Sequence, residues 1–168
     1  MGLIGIAEPY RTIALVGAKG TGKTPFALGD DQYNVPSFVK NVTRKYNMRV
    51  LFVDMERDRN HYENFKIANW RKLINWRGAI RIIPEPEERD ECLQWIRDNV
   101  RDCYIVFEDA GNIFPERIRN TPYEGFLIGC KNHKCGAMLM FHDYMMIPRG
   151  AFTLINDLEI FHNGSHPS

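Results

Sequence analysis

Continuous apolar runs alternate along this chain with stretches whose apolar residues recur at three- and four-residue steps. The continuous runs predict buried β-strands over residues 11–16, 49–54, 79–83, 103–107 and 137–141, with a further strand over 154–161. Helices are predicted over residues 23–28, 37–46, 65–76, 89–100 and 122–131. Residues 29–34 interrupt the first helical region. The helix over 65–76 depends on four apolar residues at helical spacing: Ile67, Trp70, Leu73 and Ile74.

Unbroken apolar strands interleaved with helices are typical of a parallel sheet that helices cover on both faces. The sequence therefore predicts an α/β fold. We expect one domain over residues 1–168, because no repeat or Gly/Ser linker divides the chain. Ligands of such sheets bind beyond the carboxyl ends of the strands. Four residues with useful chemistry follow strands in this way: Gly17, Asp54, Glu108 and His142.

The balance of charged residues limits which binding partners the sequence favours. Lys and Arg together number 22 and Asp and Glu 21, so the chain has no overall basic field to attract nucleic acid or an anionic membrane. Contact with DNA would need a local basic patch or surfaces arrayed by oligomerisation. No apolar run is long enough to cross a bilayer, and the first residues lack the features of a secretory signal. We therefore expect a cytoplasmic protein.

The four cysteines fit a reducing compartment as free thiols. Cys130, His133 and Cys135 would offer three ligands to zinc, but there is no second cysteine pair at metal-ligand spacing. We therefore interpret the thiols as buried or incidental rather than as metal ligands.

The glycine-rich segment after the first strand carries the most specific signal. Residues 17–24 read GAKGTGKT, the full pattern of a phosphate-binding loop (Walker A), between a predicted strand and a predicted helix. The glycines let successive backbone N–H groups point at phosphate oxygens, and the helix that begins there adds its positive end. The candidate nucleotide-binding residues are Gly17, Ala18, Lys19, Gly20, Thr21, Gly22, Lys23, Thr24 and Pro25.

Within this loop, Lys23 is predicted to bind the β- and γ-phosphates, and Thr24 to bind Mg²⁺ through its hydroxyl. Pro25 falls in the first turn of the helix, where a missing N–H costs little. Lys19 is either a second phosphate contact or a solvated side chain, and we favour solvation.

Glu108 and Asp109 follow the strand over residues 103–107, as in a Walker B strand extended by a second carboxylate. One acid of such a pair supports Mg²⁺, and its neighbour polarises a water for attack on the γ-phosphate. By position Glu108 is the metal-side acid and Asp109 the base, although the commoner order is Asp-Glu and the assignment stays open. The pair favours phosphate transfer to water.

Two further polar residues end strands. His142, after the strand over 137–141, would sense the γ-phosphate or orient the attacking water, with a structural histidine as an equal alternative. Asp54 would face the nucleotide or the path of DNA, with an ordinary strand-end cap as an equal alternative.

With these motifs the chain resembles the additional-strand P-loop ATPases, and within them the FtsK/HerA-like group of DNA pumps and viral genome-packaging ATPases. The matching segments are residues 17–24, 50–54, 104–112 and 138–161. The resemblance implies a RecA-like, largely parallel sheet and ATP hydrolysis with Mg²⁺ in a ring, hexameric or pentameric, that moves double-stranded DNA. For a viral protein, capsid or portal components would be further partners, and the location would be host cytoplasm or the virion.

The resemblance also implies an arginine that reaches the γ-phosphate of a neighbouring subunit, with Arg149 as first candidate and Arg117 and Arg119 as others. DNA contact would fall to pore-facing loops. The basic, Trp-bearing stretch 69–77 would contribute to it, but an amphipathic helix with core tryptophans is the favoured interpretation. The chain departs from the family at His142, where Gln or Asn is frequent, and it ends soon after the last strand, so we expect C-terminal elements to be missing.

Three other functions are compatible with a phosphate-binding loop. A nucleotide or small-molecule kinase would need an acceptor site and a lid, and no arginine-rich lid is evident. A GTP switch would need an Asn-Lys-x-Asp motif, which the chain lacks. A nucleotide-dependent assembly scaffold without productive hydrolysis would fit the reversed order of the acids.

Overall fold

The computed structural model describes residues 9–29, 37–55 and 65–162. In these ranges the strands are β1 (Thr12–Val16), β2 (Arg49–Asp54), β3 (Lys66–Ile67), β4 (Ala79–Ile82), β5 (Cys103–Glu108), β6 (Cys135–Phe141) and β7 (Asp157–Ile160). The α-helices are α1 (Lys23–Leu28), α2 (Phe38–Tyr46), α3 (Arg89–Asn99) and α4 (Pro122–Asn132). Short 3₁₀ turns cover Trp70–Lys72, Pro86–Glu88, Ala110–Asn112 and Tyr144–Met146. Most of the predicted interruption at residues 29–34 lies outside the described residues.

The strands form one seven-stranded sheet in the order β3-β4-β2-β5-β6-β1-β7. Each neighbouring pair is parallel. This confirms the α/β fold with a parallel sheet. It also places the ends of β5, β6 and β1 side by side, so the loops that follow these three strands meet at one edge.

Two apolar clusters, one on each face of the sheet, explain why the central strands read as unbroken apolar runs. Successive strand residues point to opposite faces. Ile13 and Leu15 therefore pack with α1 and α2, whereas Ala14 and Val16 belong to the cluster that includes α3 and α4. The prediction that helices cover both faces of the sheet is thereby confirmed. Every side chain of β1, β5 and β6 is buried.

The helix predicted over residues 65–76 is wrong. Lys66–Ile67 instead forms the edge strand β3, which pairs with β4, and only Trp70–Lys72 makes a short 3₁₀ turn. The Asn69 side chain caps this turn by accepting the N–H of Arg71 at 3.0 Å. Ile74 is 83% exposed and Ile67 60% exposed, so the apolar residues at helical spacing do not share a buried face.

The tryptophans of this stretch nevertheless pack, as the core interpretation expected. Trp70 is buried, with its ring centroid 6.0 Å from that of Trp95 on α3. The guanidinium of Arg49 lies over the Trp76 ring at 4.3 Å. Strand pairing and ring packing, rather than a helix, therefore decide the conformation of this segment.

The four cysteines are free and buried. Burial raises the pKa of Cys92 to about 12 and that of Cys135 to about 11, so these thiols are neutral near pH 7. No group of three or more His, Cys, Asp or Glu residues suited to a metal occurs in the described part of the chain. Nor does any helix within the described ranges have the length and apolar character of a membrane span.

Candidate functional site

The loops after β1, β5 and β6 converge at the carboxyl edge of the sheet. A backbone hydrogen bond joins two of them directly, since the N–H of Gly17 donates to the carbonyl of Phe141 at 3.1 Å. Glu108 ends β5, the other strand beside β6, and Asp109 follows it. Three segments far apart in sequence thus meet at one place.

The conformation of the glycine-rich loop requires its glycines. Gly20 and Gly22 have φ of +82° and +99°, which L side chains rarely adopt. A Cβ on Gly17 would lie 2.6 Å from the carbonyl oxygen of Phe161, so the close approach of that backbone excludes a side chain. The Thr21 hydroxyl closes the loop by donating to the Ala18 carbonyl at 2.8 Å.

Lys23 begins α1 and is only 6% exposed. Its ammonium donates to the carbonyl of Gly17 and, at 3.0 Å, to that of Ala18. These carbonyls compensate part of the cost of burying the charge. Lys19, in contrast, is exposed, and Pro25 lies in the first turn of α1. The loop thus holds one lysine against its own backbone and leaves the other in solvent.

The side chains of Thr24 and Glu108 place two oxygen atoms that can bind a metal close together. The Thr24 hydroxyl donates to Glu108 Oε1 at 3.4 Å, and Glu108 is buried. A hydroxyl and a carboxylate are hard oxygen ligands of the kind that Mg²⁺ takes, usually together with water and substrate phosphates. The residues present therefore fit Mg²⁺.

Asp109 occupies a turn immediately after β5. It has φ +53°, a left-handed conformation that Asp tolerates better than most residues, and it is 2% exposed. Its Oδ1 lies 3.7 Å from Nε2 of His142, whose side chain is 31% exposed. Its Oδ2 accepts a hydrogen bond from Nδ2 of Asn112. The adjacent acids thus have different surroundings: Glu108 contacts the glycine-rich loop, and Asp109 contacts Asn112 and His142.

Asp54, in contrast, is fully buried and belongs to an ion pair. Arg81 on β4 donates to Asp54 Oδ2 through Nε at 2.9 Å and also through Nη2. The nucleotide-facing and DNA-facing alternatives for Asp54 are therefore wrong, because its carboxylate is fully buried and paired with the guanidinium of Arg81 on the neighbouring strand. In the parallel pairing of β2 with β5, Asp54 nonetheless lies opposite Glu108.

The candidate arginines lie in neighbouring segments beyond the site. Arg117 and Arg149 form an isolated parallel bridge, with Ile118 N–H donating to the Arg149 carbonyl at 3.3 Å. Both are exposed, as is Arg119. The structure brings Arg117 and Arg149 together.

Sequence reasoning missed two polar partners. Arg81 interrupts the apolar strand over 79–83, and a charge inside a buried strand is a signal that an opposite charge lies nearby. Asn112 stands three residues after Asp109, but only the 3₁₀ turn between them places its amide on the carboxylate.

Solved structures with a similar fold include the genome packaging NTPase of Sulfolobus turreted icosahedral virus 2 in complex with ATP-gammaS. It has a TM-score of 0.70 at 13% identity, over 95% of this chain and 78% of that chain. The DNA-packaging ATPase of Sulfolobus turreted icosahedral virus has a TM-score of 0.68 at 15% identity, over the same shares.

A KaiC-like protein of Pyrococcus horikoshii is a more distant neighbour. It has a TM-score of 0.51 at 15% identity, over 94% of this chain and 76% of that chain. No protein-family model matches the sequence, and no curated protein matches it either. The fold of this chain is therefore that of the P-loop NTPases, with a RecA-like parallel sheet.

Proposed function

We propose that this chain binds ATP with Mg²⁺ at the carboxyl edge of its sheet and hydrolyses it as the motor domain of a DNA-translocating or DNA-packaging assembly. The observation that carries the proposal is that three features meet at one edge of the sheet. The glycine-rich loop encloses Lys23, Thr24 contacts Glu108, and Asp109 lies beside them. These parts come from β1 and β5, and their chemistry is complementary to a metal-bound triphosphate.

The glycine-rich loop binds the phosphates in this proposal. Backbone N–H groups of residues 17–24 donate to phosphate oxygens, and the Lys23 ammonium exchanges a loop carbonyl for a phosphate oxygen. A charge-assisted hydrogen bond to an anionic oxygen is stronger than one to a neutral carbonyl. Binding of the triphosphate therefore repositions Lys23 at little cost.

Thr24 and Glu108 would hold Mg²⁺, which, when bound, neutralises charge that develops on the β- and γ-phosphate oxygens. The 3.4 Å contact between their oxygens supports Glu108 as the acid on the metal side. Asp109 is then the base that accepts a proton from the attacking water. His142, with Nε2 3.7 Å from Asp109 Oδ1, is suited to orient that water or to sense the terminal phosphate.

Membership of the FtsK/HerA-like group, ring assembly and action on double-stranded DNA are the finer part of the proposal. They are supported by the motifs and by the similarity of fold to the packaging enzymes of two Sulfolobus viruses. In a ring, Arg149, Arg117 or Arg119 would reach the γ-phosphate of the adjacent subunit. Capsid or portal components would be further partners, in host cytoplasm or in the virion.

The test is phosphate release from ATP with and without double-stranded DNA, alongside sizing in ATP and Mg²⁺. DNA-stimulated turnover together with ring formation is the expected result. Transfer of phosphate to a metabolite would instead identify a kinase, and assembly without turnover would identify a nucleotide-dependent scaffold. Normal turnover in Lys23→Ala would contradict the assignment of the site.

A further inference from the structure

The turn after β5 carries a polar side chain to which the ATPase motifs assign no role. Asn112 closes the 3₁₀ turn Ala110–Asn112, for which Asp109 is the preceding cap residue. The N–H of Asn112 donates to the carbonyl of Asp109 at 3.0 Å. The turn brings the Asn112 side chain back to Asp109, and its Nδ2 donates to Oδ2 of the Asp109 carboxylate.

We propose that Asn112 is a positioning residue for Asp109, whose carboxylate it holds in the orientation needed to accept a proton from the attacking water. The inference rests on the proposed hydrolysis of ATP. Its direct basis is the hydrogen bond from Asn112 Nδ2 to Asp109 Oδ2, which leaves Oδ1 on the side of His142. Asn112 thereby fixes which carboxylate oxygen faces His142.

Hydrophobic packing holds this turn in place. Phe114 packs against Phe107 of β5 with ring centroids 5.5 Å apart and against Phe126 of α4 at 6.4 Å. Its N–H, like that of Ile113, donates to the carbonyl of Ala110, which is fully buried. The position of the amide donor is therefore set by the core rather than by a mobile loop.

Two further contacts tie the turn to its surroundings. Arg89, the first residue of α3, donates through Nη1 to the backbone carbonyl of Asn112. A Cβ on Gly111 would lie 2.3 Å from the terminal methyl of Met146, so the turn also packs closely on the segment after His142. Neither contact uses the Asn112 side chain, so a substitution there leaves both intact.

The experiment compares two near-isosteric variants that lack the amide donor, Asn112→Asp with a new charge and Asn112→Leu without one. Asn112 is exposed, so both variants are expected to keep the fold, which thermal melting checks. Asn112→Gln keeps an amide donor. The matched control is Asn99→Asp, because Asn99 is also exposed and donates to a backbone carbonyl, that of Trp95, at the C-terminal end of α3.

We expect kcat for ATP to fall at least about tenfold in both donor-less variants, with KM and the Kd of a fluorescent ATP analogue within about threefold of wild type. Asn112→Gln should recover part of kcat, and Asn99→Asp should match wild type. An unchanged kcat in Asn112→Leu, or a loss confined to KM, would overturn the positioning role while the ATPase proposal stands. Absence of turnover in the wild-type protein would overturn both.

Discussion

The Thr24 hydroxyl donates to Glu108 Oε1 at 3.4 Å, joining two residues that are 84 positions apart in the chain. One belongs to the start of α1 and the other to the end of β5. Because β6 separates β1 from β5 in the sheet, the contact spans the width of one intervening strand. It distinguishes Glu108 from the adjacent Asp109 and so gives separate expectations for the two acids.

Glu108→Gln should weaken the response of the enzyme to Mg²⁺ because an amide oxygen is a poorer ligand for this cation than a carboxylate. We expect the Mg²⁺ concentration for half-maximal turnover to rise about tenfold or more, with ATP binding retained. The measurement is a Mg²⁺ titration of phosphate release. If the titration of the variant superimposed on that of wild type, Glu108 would not be a ligand of Mg²⁺.

Asp109→Asn should leave ATP and Mg²⁺ binding intact and lower kcat by about 10²- to 10⁴-fold, the usual contribution of a general base. Trapping of labelled ATP without release of phosphate is the readout. Equal loss of nucleotide binding in Asp109→Asn and Glu108→Gln would argue that neither acid is the base.

Lys23→Ala should abolish ATP binding or turnover because it removes the buried ammonium that, in the proposed function, binds the β- and γ-phosphates. Lys19→Ala is the matched control, since Lys19 is exposed in the same loop. It should retain most of the affinity in a fluorescent-nucleotide titration. If the two variants lost affinity equally, Lys23 would have no special role among the loop residues.

Arg81→Met should lower the free energy of unfolding by about 3–5 kcal/mol because it leaves the buried Asp54 carboxylate without its guanidinium partner. Urea denaturation at pH 7 is the measurement. The double variant Arg81→Met/Asp54→Leu should recover much of the loss, since replacing a buried ion pair by apolar residues is often nearly neutral. No recovery would mean that Arg81 stabilises the sheet by some other route.

The buried cysteines should make the protein less stable at high pH. Burial raises the pKa of Cys92 to about 12 and that of Cys135 to about 11, whereas thiols of the unfolded chain ionise near pH 8.5. The unfolded state therefore loses these protons first, and stability falls as pH rises from about 8.5 towards 11–12. The urea midpoint should be lower at pH 10 than at pH 7.5, and Cys135→Ala should reduce that difference.

Thiol reactivity provides an independent check on the same groups. In the folded protein at pH 8, all four cysteines should react slowly with Ellman's reagent, because they are buried and the thiolate is the reactive form. In urea all four should react promptly. Rapid reaction of the folded protein would show that at least one thiol is accessible.

The local pattern of apolar residues was sufficient to predict most of the strands and helices. Unbroken apolar runs predicted five of the sheet's strands closely, and the helical spacing of apolar residues predicted α3, because each signal reports whether a segment's side chains are buried. The segment over 65–76 failed for a physical reason. Its backbone pairs with β4 and Trp70 packs on Trp95, and both contacts outweigh a weak helical periodicity.

The partners of the polar residues were less predictable. Asp54 and Glu108 both end apolar strands, and nothing in their immediate sequence separates an acid in a buried ion pair from one beside the glycine-rich loop. Asp54 differs from Glu108 because it pairs with Arg81, which reaches it only because β4 lies next to β2.

By itself, the sequence determined which segments are buried and which loop has the chemistry to enclose a phosphate. Hydrophobic transfer and backbone freedom are properties of individual residues and their near neighbours, so they can be read along the chain. Tertiary structure alone decided that β1, β6 and β5 lie side by side, that Thr24 meets Glu108, and that Asp109 lies between Asn112 and His142. Strand order and side-chain contacts depend on the packing of the whole sheet, to which no local pattern corresponds.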